Sequence, residues 1–161
     1  MKTILILTPL LTLITSCSTA PKEPIYLSTQ QIEKKYSKGS KVVMITHPHC
    51  GFSQRAFKDF APSTKEYLTE NGVFLAPVIK KHEKEGLSGV MAWNKNHPGS
   101  QHIPVDSENK IKGLDLNGTP QFYFFRDGHL IGKVTGWPKD KSNATKVQNY
   151  ISQLKRTNIT Q

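Results

Sequence analysis

The sequence predicts an α/β domain, a central mixed β-sheet flanked by helices, with its elements in the order β-α-β-α-β-β-α. Three observations point there. Short runs rich in β-branched and aromatic residues alternate with amphipathic stretches. The first two such runs flank one helical pattern, which is the signature of a βαβ unit. The last two are separated by Arg126-Asp-Gly-His129, whose Asp127-Gly128 pair suits a tight hairpin turn.

The elements follow in chain order. Residues Ser28 to Lys38 carry Ile32 and Tyr36 four positions apart and read as a polar amphipathic helix ended by Gly39. Lys41 to Thr46 reads as a buried strand. Phe52, Ala56, Phe57 and Phe60 then recur at helical spacing until Pro62 interrupts them. Ser63 and Glu66 have capping-box spacing and restart the helix. Tyr67 and Leu68 continue its apolar face, and Asn71-Gly72 stops it. Val73 to Ile79 is the second strand. Lys81 to Asn96 is a charged helix with Leu87, Val90, Met91 and Trp93 for packing. His97 to Leu116, broken by Pro98, Gly99 and Pro104, reads as an exposed loop with one short helix around Ile111 to Leu116. Gln121 to Phe125 and Leu130 to Val134 are the paired strands. A last helix from about Lys139 to Arg156 buries Val147, Tyr150, Ile151 and Leu154.

Cys50 is the residue with the clearest chemistry. It ends the turn Thr46-His-Pro-His49 between the first strand and the helix after it. At a helix N-terminus the unpaired N–H groups and the macrodipole favour a thiolate over a thiol. Ser53 hydroxyl donation, and His47 or His49 when protonated, add to that. His47-x-His49-Cys50 also has the look of a fragment of a soft-metal site, but it needs a further placed donor. No metal and no cofactor is assigned on this basis. Trp93 and Trp137 read as packing residues.

With Cys50 after the first strand and Gly118-Thr119-Pro120 just before the hairpin, the order resembles the thioredoxin fold. The resemblance covers about Lys41 to Lys155. It implies a cis Thr119–Pro120 bond whose loop faces the thiol and presents backbone groups to client segments. Trp93-Asn-Lys, Leu116-Asn-Gly-Thr-Pro120 and Gly136-Trp137-Pro138 look most like the catalytic domain of bacterial periplasmic disulfide isomerases. Their separate dimerisation domain is not expected, since too few residues precede Lys41. The chain departs from the family at one position. Cys50-Gly-Phe-Ser53 stands where a Cys-x-x-Cys pair is usual, so the cysteine that resolves a mixed disulfide is missing. The buried acid that serves that cysteine is also missing from Lys41 to Thr46. Cys-Gly-Phe-Ser is similar to the signature of monothiol glutaredoxins too, which use glutathione. Their lysine shortly before the cysteine has no counterpart, as the nearest preceding one here is Lys41.

The N-terminus suggests export. Met1-Lys2 is followed by an apolar run from Ile4 to Ile14, too short to span a bilayer. Leu13-Ile-Thr-Ser-Cys17 resembles a bacterial lipobox. The expected organisation is therefore a signal peptide over 1–16, a lipidated tether over 17–27, and one thioredoxin-like domain over 28–161. Cys17 would carry acyl chains such as palmitate. Ser18, where Asp would signal inner-membrane retention, points to the outer membrane. The expected location is the bacterial cell envelope, lipid-anchored and facing the periplasm. The formal charge of +10 is spread along the chain without aromatic-basic interleaving, which argues against nucleic acid as a partner. Asn117, Asn143 and Asn158 begin glycosylation sequons, which carry little meaning in a bacterial lipoprotein.

The resulting functional expectation is thiol–disulfide exchange through Cys50, isomerase- or reductase-like, on client proteins with disulfides or oxidised thiols. Ser53 tunes the thiol, and Thr119 and Pro120 bind the client. Two alternatives come from other classes. One is a non-catalytic binding module of an envelope assembly, and the other is a metallochaperone.

Overall fold

The computed structural model of the chain describes residues 26–157. The expected signal peptide, the lipid site at Cys17, most of the tether and the sequon at Asn158 lie outside the described residues. Helix α1 (Thr29–Tyr36) opens on a capping box, in which the Gln31 N–H donates to Ser28 Oγ and the Ser28 N–H donates to Gln31 Oε1 at 2.8 Å. Then come β1 (Ser40–Ile45), α2 (Gly51–Asp59), α3 (Pro62–Asn71), β2 (Gly72–Val78) and α4 (Glu83–Asn96). The chain ends with β3 (His102–Asp106), β4 (Gln121–Arg126), β5 (His129–Thr135) and α5 (Ser142–Thr157).

The strands form one mixed sheet in the order β3-β2-β1-β4-β5. β1, β2 and β3 run parallel, and β4 and β5 run antiparallel to their neighbours. The two-residue alternation of strand side chains builds a core on each face. Val42 and Met44 join Phe74, Phe122 and Phe124 on one face, with Ala56, Phe60, Leu68, Val147, Ile151 and Leu154 from α2, α3 and α5. Val43 and Ile45 join Leu75, Tyr123 and Phe125 on the other, covered by Ile32 and Tyr36 of α1 and by Ile111 and Leu116.

The structure corrects the sequence reading in four places. The segment around Pro62 is two helices, because proline pushes the residue before it into extended backbone. Ala61 is the N-cap, so Ser63 already lies inside the first turn and the expected Ser63–Glu66 capping box does not form. The expected loop from His97 to Leu116 contains β3. Pro104 hides this strand in the sequence, yet an edge strand tolerates a proline because one of its sides needs no ladder bond. The short helix around Ile111 to Leu116 is a turn, with the Leu114 N–H donating to the Ile111 carbonyl at 3.0 Å. The last helix starts at Ser142 rather than near Lys139, after Pro138 and the Asp140 side chain that accepts the Ser142 N–H. On that helix Tyr150 is half-buried and stacks on Phe124.

Ile151 is fully buried where α5 meets the sheet. Ile151→Ala is expected to lower the unfolding free energy by about 2–5 kcal/mol. Leu130→Ala, on an exposed position of β5, should change it by less than about 0.5 kcal/mol. Urea denaturation of both variants checks the pair.

Candidate functional site

The site forms where β1 ends. Thr46 still pairs with β2 through its N–H to the Leu75 carbonyl, 2.9 Å. The next residues turn sharply, and the Cys50 N–H donates to the His47 carbonyl at 3.0 Å. Cys50 is the N-cap of α2, with extended backbone (φ −83°, ψ 113°). Side chains hold this turn from both ends. The Gln54 amide donates to the Pro48 carbonyl at 2.6 Å, the His47 N–H donates to Ser53 Oγ at 3.3 Å, and the His49 N–H donates to His47 Nδ1 at 3.2 Å. The His49 ring lies over Gly89 of α4, where an added Cβ would come within 2.1 Å of its Nε2.

Thr119 and Pro120 reach the same place from the neighbouring strand, just before β4 begins. Their peptide bond is cis, as expected. The Cys50 thiol, partly exposed, donates to the Thr119 carbonyl oxygen at a sulfur–oxygen distance of 3.6 Å. The loop before Pro120 is fixed by Gln121, a buried polar side chain whose amide donates to the carbonyls of Asp115 and Gly118 at 3.1 and 2.9 Å. Its Oε1 accepts the Tyr123 hydroxyl at 2.8 Å, and that hydroxyl accepts the Asp115 N–H at 2.9 Å.

Burial pushes the Cys50 thiol up, but hydrogen bonding wins. The Thr119 side chain, the Ser53 N–H and hydroxyl and the Phe52 N–H all favour the thiolate, and the net shift is downward from the ordinary cysteine value. These N–H groups belong to the second and third residues of α2, the donors an N-cap side chain normally satisfies. The thiol form makes no such cap bond; the thiolate gains it. Ser53 is almost wholly buried and has two tasks, supporting the thiolate and accepting the His47 N–H.

The histidines divide differently from the sequence reading. Burial, with His49 adding a like charge, lowers the His47 pKa, which disfavours the protonated form in which it would support the thiolate. A further histidine, His102 of β3, lies beneath the turn. Its Nε2 sits 2.6 Å from Thr46 Oγ1 and its Nδ1 2.9 Å from the Ser100 carbonyl. A carbonyl only accepts, so Nδ1 carries the proton and Nε2 accepts from Thr46. Phe57, Phe74 and Trp93 pack around its ring. Asn94 holds the strand at this point, accepting the His102 N–H and donating to its carbonyl. Trp137 is buried as expected, donating its indole N–H to Asp59. Trp93 is half-buried and stacks on His97. Among the described residues no group of three His, Cys, Asp or Glu side chains is placed to hold a metal ion.

Sequence reasoning placed Cys50, Ser53, Thr119 and Pro120 together, and the structure brings all four to one end of the sheet. It missed His102 and Gln121. His102 was hidden by the proline-rich reading of its segment. Gln121 left a signal, a lone amide at the head of the apolar run Phe122-Tyr-Phe-Phe125.

The thioredoxin-like domain profile matches residues 27–151. A thioredoxin-like protein solved in solution in its oxidised form superposes with a TM-score of 0.52 at 17% identity, covering 79% of this chain and 85% of its own. A pneumococcal exposed lipoprotein thioredoxin from Streptococcus pneumoniae strain TIGR4 superposes with a TM-score of 0.49 at 14% identity, covering 73% of this chain and 89% of its own. At its identity the first of these likenesses shows the fold alone. No curated protein sequence matches the chain.

Burial holds His102 at a pKa of about 4, below its ordinary 6.5; the Ser100 carbonyl opposes this, while His47 and His97 add to it. Between those values the unfolded chain binds the extra proton. Stability is therefore full above about pH 6.5 and falls as the pH drops toward 4, by about 3 kcal/mol from this group. Urea unfolding of the wild type and His102→Gln across that range is expected to show a shallower pH slope in the variant.

Proposed function

Because the chain belongs to the thioredoxin-like domain family, we propose that its partly exposed, hydrogen-bonded Cys50 thiol carries out thiol–disulfide exchange on client proteins. The fold is of the thiol–disulfide oxidoreductase type. The observation that carries the proposal is the placement of Cys50 at the N-cap of α2, 3.6 Å from the Thr119 carbonyl, with its pKa lowered. A lowered pKa makes more thiolate available to attack. It also makes Cys50 a better leaving group when the mixed disulfide is broken.

The reaction starts with attack of the Cys50 thiolate on a client disulfide. A new S–S bond joins Cys50 to the client, and the displaced client sulfur leaves as a thiolate with the electron pair of the broken bond. Ser53 cannot reverse this, because a hydroxyl does not displace a disulfide sulfur. Release then needs a thiol from outside the chain. If a second client thiol supplies it, the result is isomerisation; if a small thiol does, the result is reduction. Thr119 and Pro120 contact the client segment beside the thiol, and Ser53 acts as a positioning residue. The Leu13-Ile-Thr-Ser-Cys17 pattern supports placing the domain on a lipid anchor in the bacterial envelope, facing the periplasm.

Cys50→Ala should abolish mixed-disulfide formation with a model disulfide, read by mass spectrometry. Ser53→Ala should keep it, with a higher thiol pKa in a pH titration of alkylation rate, since a hydroxyl donor to the thiolate is lost. Ser53→Cys should make trapped adducts scarce, because a neighbouring thiol then resolves them. If wild-type protein forms no adduct, thiol exchange fails as the function, and a non-catalytic binding module takes its place.

Cys17→Ala is expected to release the protein from membranes in a fractionation experiment. A processed variant that still sediments with membranes overturns the anchor.

A further inference from the structure

The flanks of α2, the helix that begins at the thiol, carry more positive charge than the chemistry of Cys50 uses. Two hollows flank the first turns of α2. One, of about 570 Å³, is lined by Gly51, Arg55, Lys58, Lys139 and Lys141 among others. The second, of about 640 Å³, runs from Phe52 and Thr119 past Trp137 to Lys146. Two acids stand close to these five cations, and both are engaged. The Asp59 side chain is only 9% exposed and is held by the Trp137 indole at 3.0 Å and the Lys141 ammonium at 3.2 Å. Asp140 is exposed; it accepts the Ser142 N–H at 3.0 Å and lies in the field of Lys146. Lys58, Lys139 and Lys146 are exposed, and none forms a salt bridge with a described carboxylate. Five cations against two carboxylates, one of them covered, leave the field of this surface positive. Between the hollows Phe52 is 54% exposed, with the Arg55 guanidinium 5.6 Å from its ring centre.

We propose that this surface selects acidic client segments, in which carboxylates flank the disulfide-bonded cysteine and an apolar neighbour rests on Phe52. The inference depends on Cys50 being the attacking thiol. It adds the chemistry of the partner. Carboxylates on either side of the client cysteine meet Lys58 and Lys139 in one hollow and Lys146 in the other. The field also gathers such segments before contact, which raises the association rate. The sulfur that leaves the client disulfide departs as an anion, and the same cations stabilise it.

The test uses the full chain and three peptides of one sequence. Each carries its cysteine as a 2-pyridyl disulfide, flanked by Glu, Gln or Lys. Release of 2-thiopyridone gives the second-order rate, normalised to the rate of each peptide with a small neutral thiol. The Glu peptide should react about tenfold faster than the Lys peptide at low salt, with the Gln peptide between them. The ratio should fall toward one in about 0.5 M salt, where screening shortens the field to a few ångströms. The triple variant Lys58→Glu, Lys139→Glu, Lys146→Glu should invert the order. Equal normalised rates for the three peptides overturn the acidic preference while leaving Cys50 as the reactive thiol. A preference that persists in high salt, or in the triple variant, removes the patch as its cause. No reaction with any peptide overturns the thiol reading and this proposal together. Should the triple variant not fold, the salt dependence of the wild type decides the matter.

Discussion

The antiparallel register of β1 and β4 is the constraint on which the site depends. Ile45 pairs with Gln121, so the chain leaving β1 and the chain entering β4 emerge side by side. The turn from Thr46 to Cys50 and the cis Thr119–Pro120 bond are the first things beyond that pair on either strand. The thiol and the Thr119 carbonyl are neighbours because the sheet leaves them nowhere else to go. The remaining features refine this placement. Gln121 and Tyr123 hold the proline loop, Gln54 and Ser53 hold the cysteine turn, and His49 seats the turn on α4 through the space left by Gly89.

Much of this was legible in the sequence, for a physical reason. Strands β1, β2 and β4 are buried on both faces and read as near-continuous apolar runs, which composition alone picks out. A cysteine after the first of these and a Thr-Pro before the third give the site. Elements whose definition is tertiary were not legible. β3 is a strand because β2 offers it an open edge, while its own sequence, with a histidine and a proline, argues otherwise. The segment around Ile111 and Leu116 has helical spacing, but those residues are buried by the second core without forming a helix. The start of α3 was misplaced by two residues, because a proline at the first helical position overrode a good capping pattern.

The polar interior gives the substitution at Ser53 a different meaning from a missing cysteine. In this chain the hydroxyl accepts a main-chain N–H that the turn would otherwise leave unpaired. Thr46 and His102 do a similar service, each satisfying the other where the end of β1 faces β3 across β2. A buried neutral histidine bonded at both nitrogens ties β3 to the end of β1, with β2 between them. The apolar rings of Phe57, Phe74 and Trp93 close over it. The site is thus supported from beneath by hydrogen bonds between uncharged groups, and the charge lies on its outer surface.

The pairing of β1 with β4 also makes one closure of the chain longer than the others. Val42 meets Gly72 across one helical crossover, and β4 meets β5 across a tight turn. Cys50 and Thr119 lie 69 positions apart. Closing that long loop carries the larger entropy cost and relies on contacts distant in sequence, which slows a folding chain. The crossover and the hairpin are the cheaper closures, and the meeting of thiol and carbonyl is the costlier one. A partly folded chain has its cysteine at a helix end but lacks the group that faces it. The reactivity of this one sulfur therefore belongs to the completed sheet and not to its own helix alone.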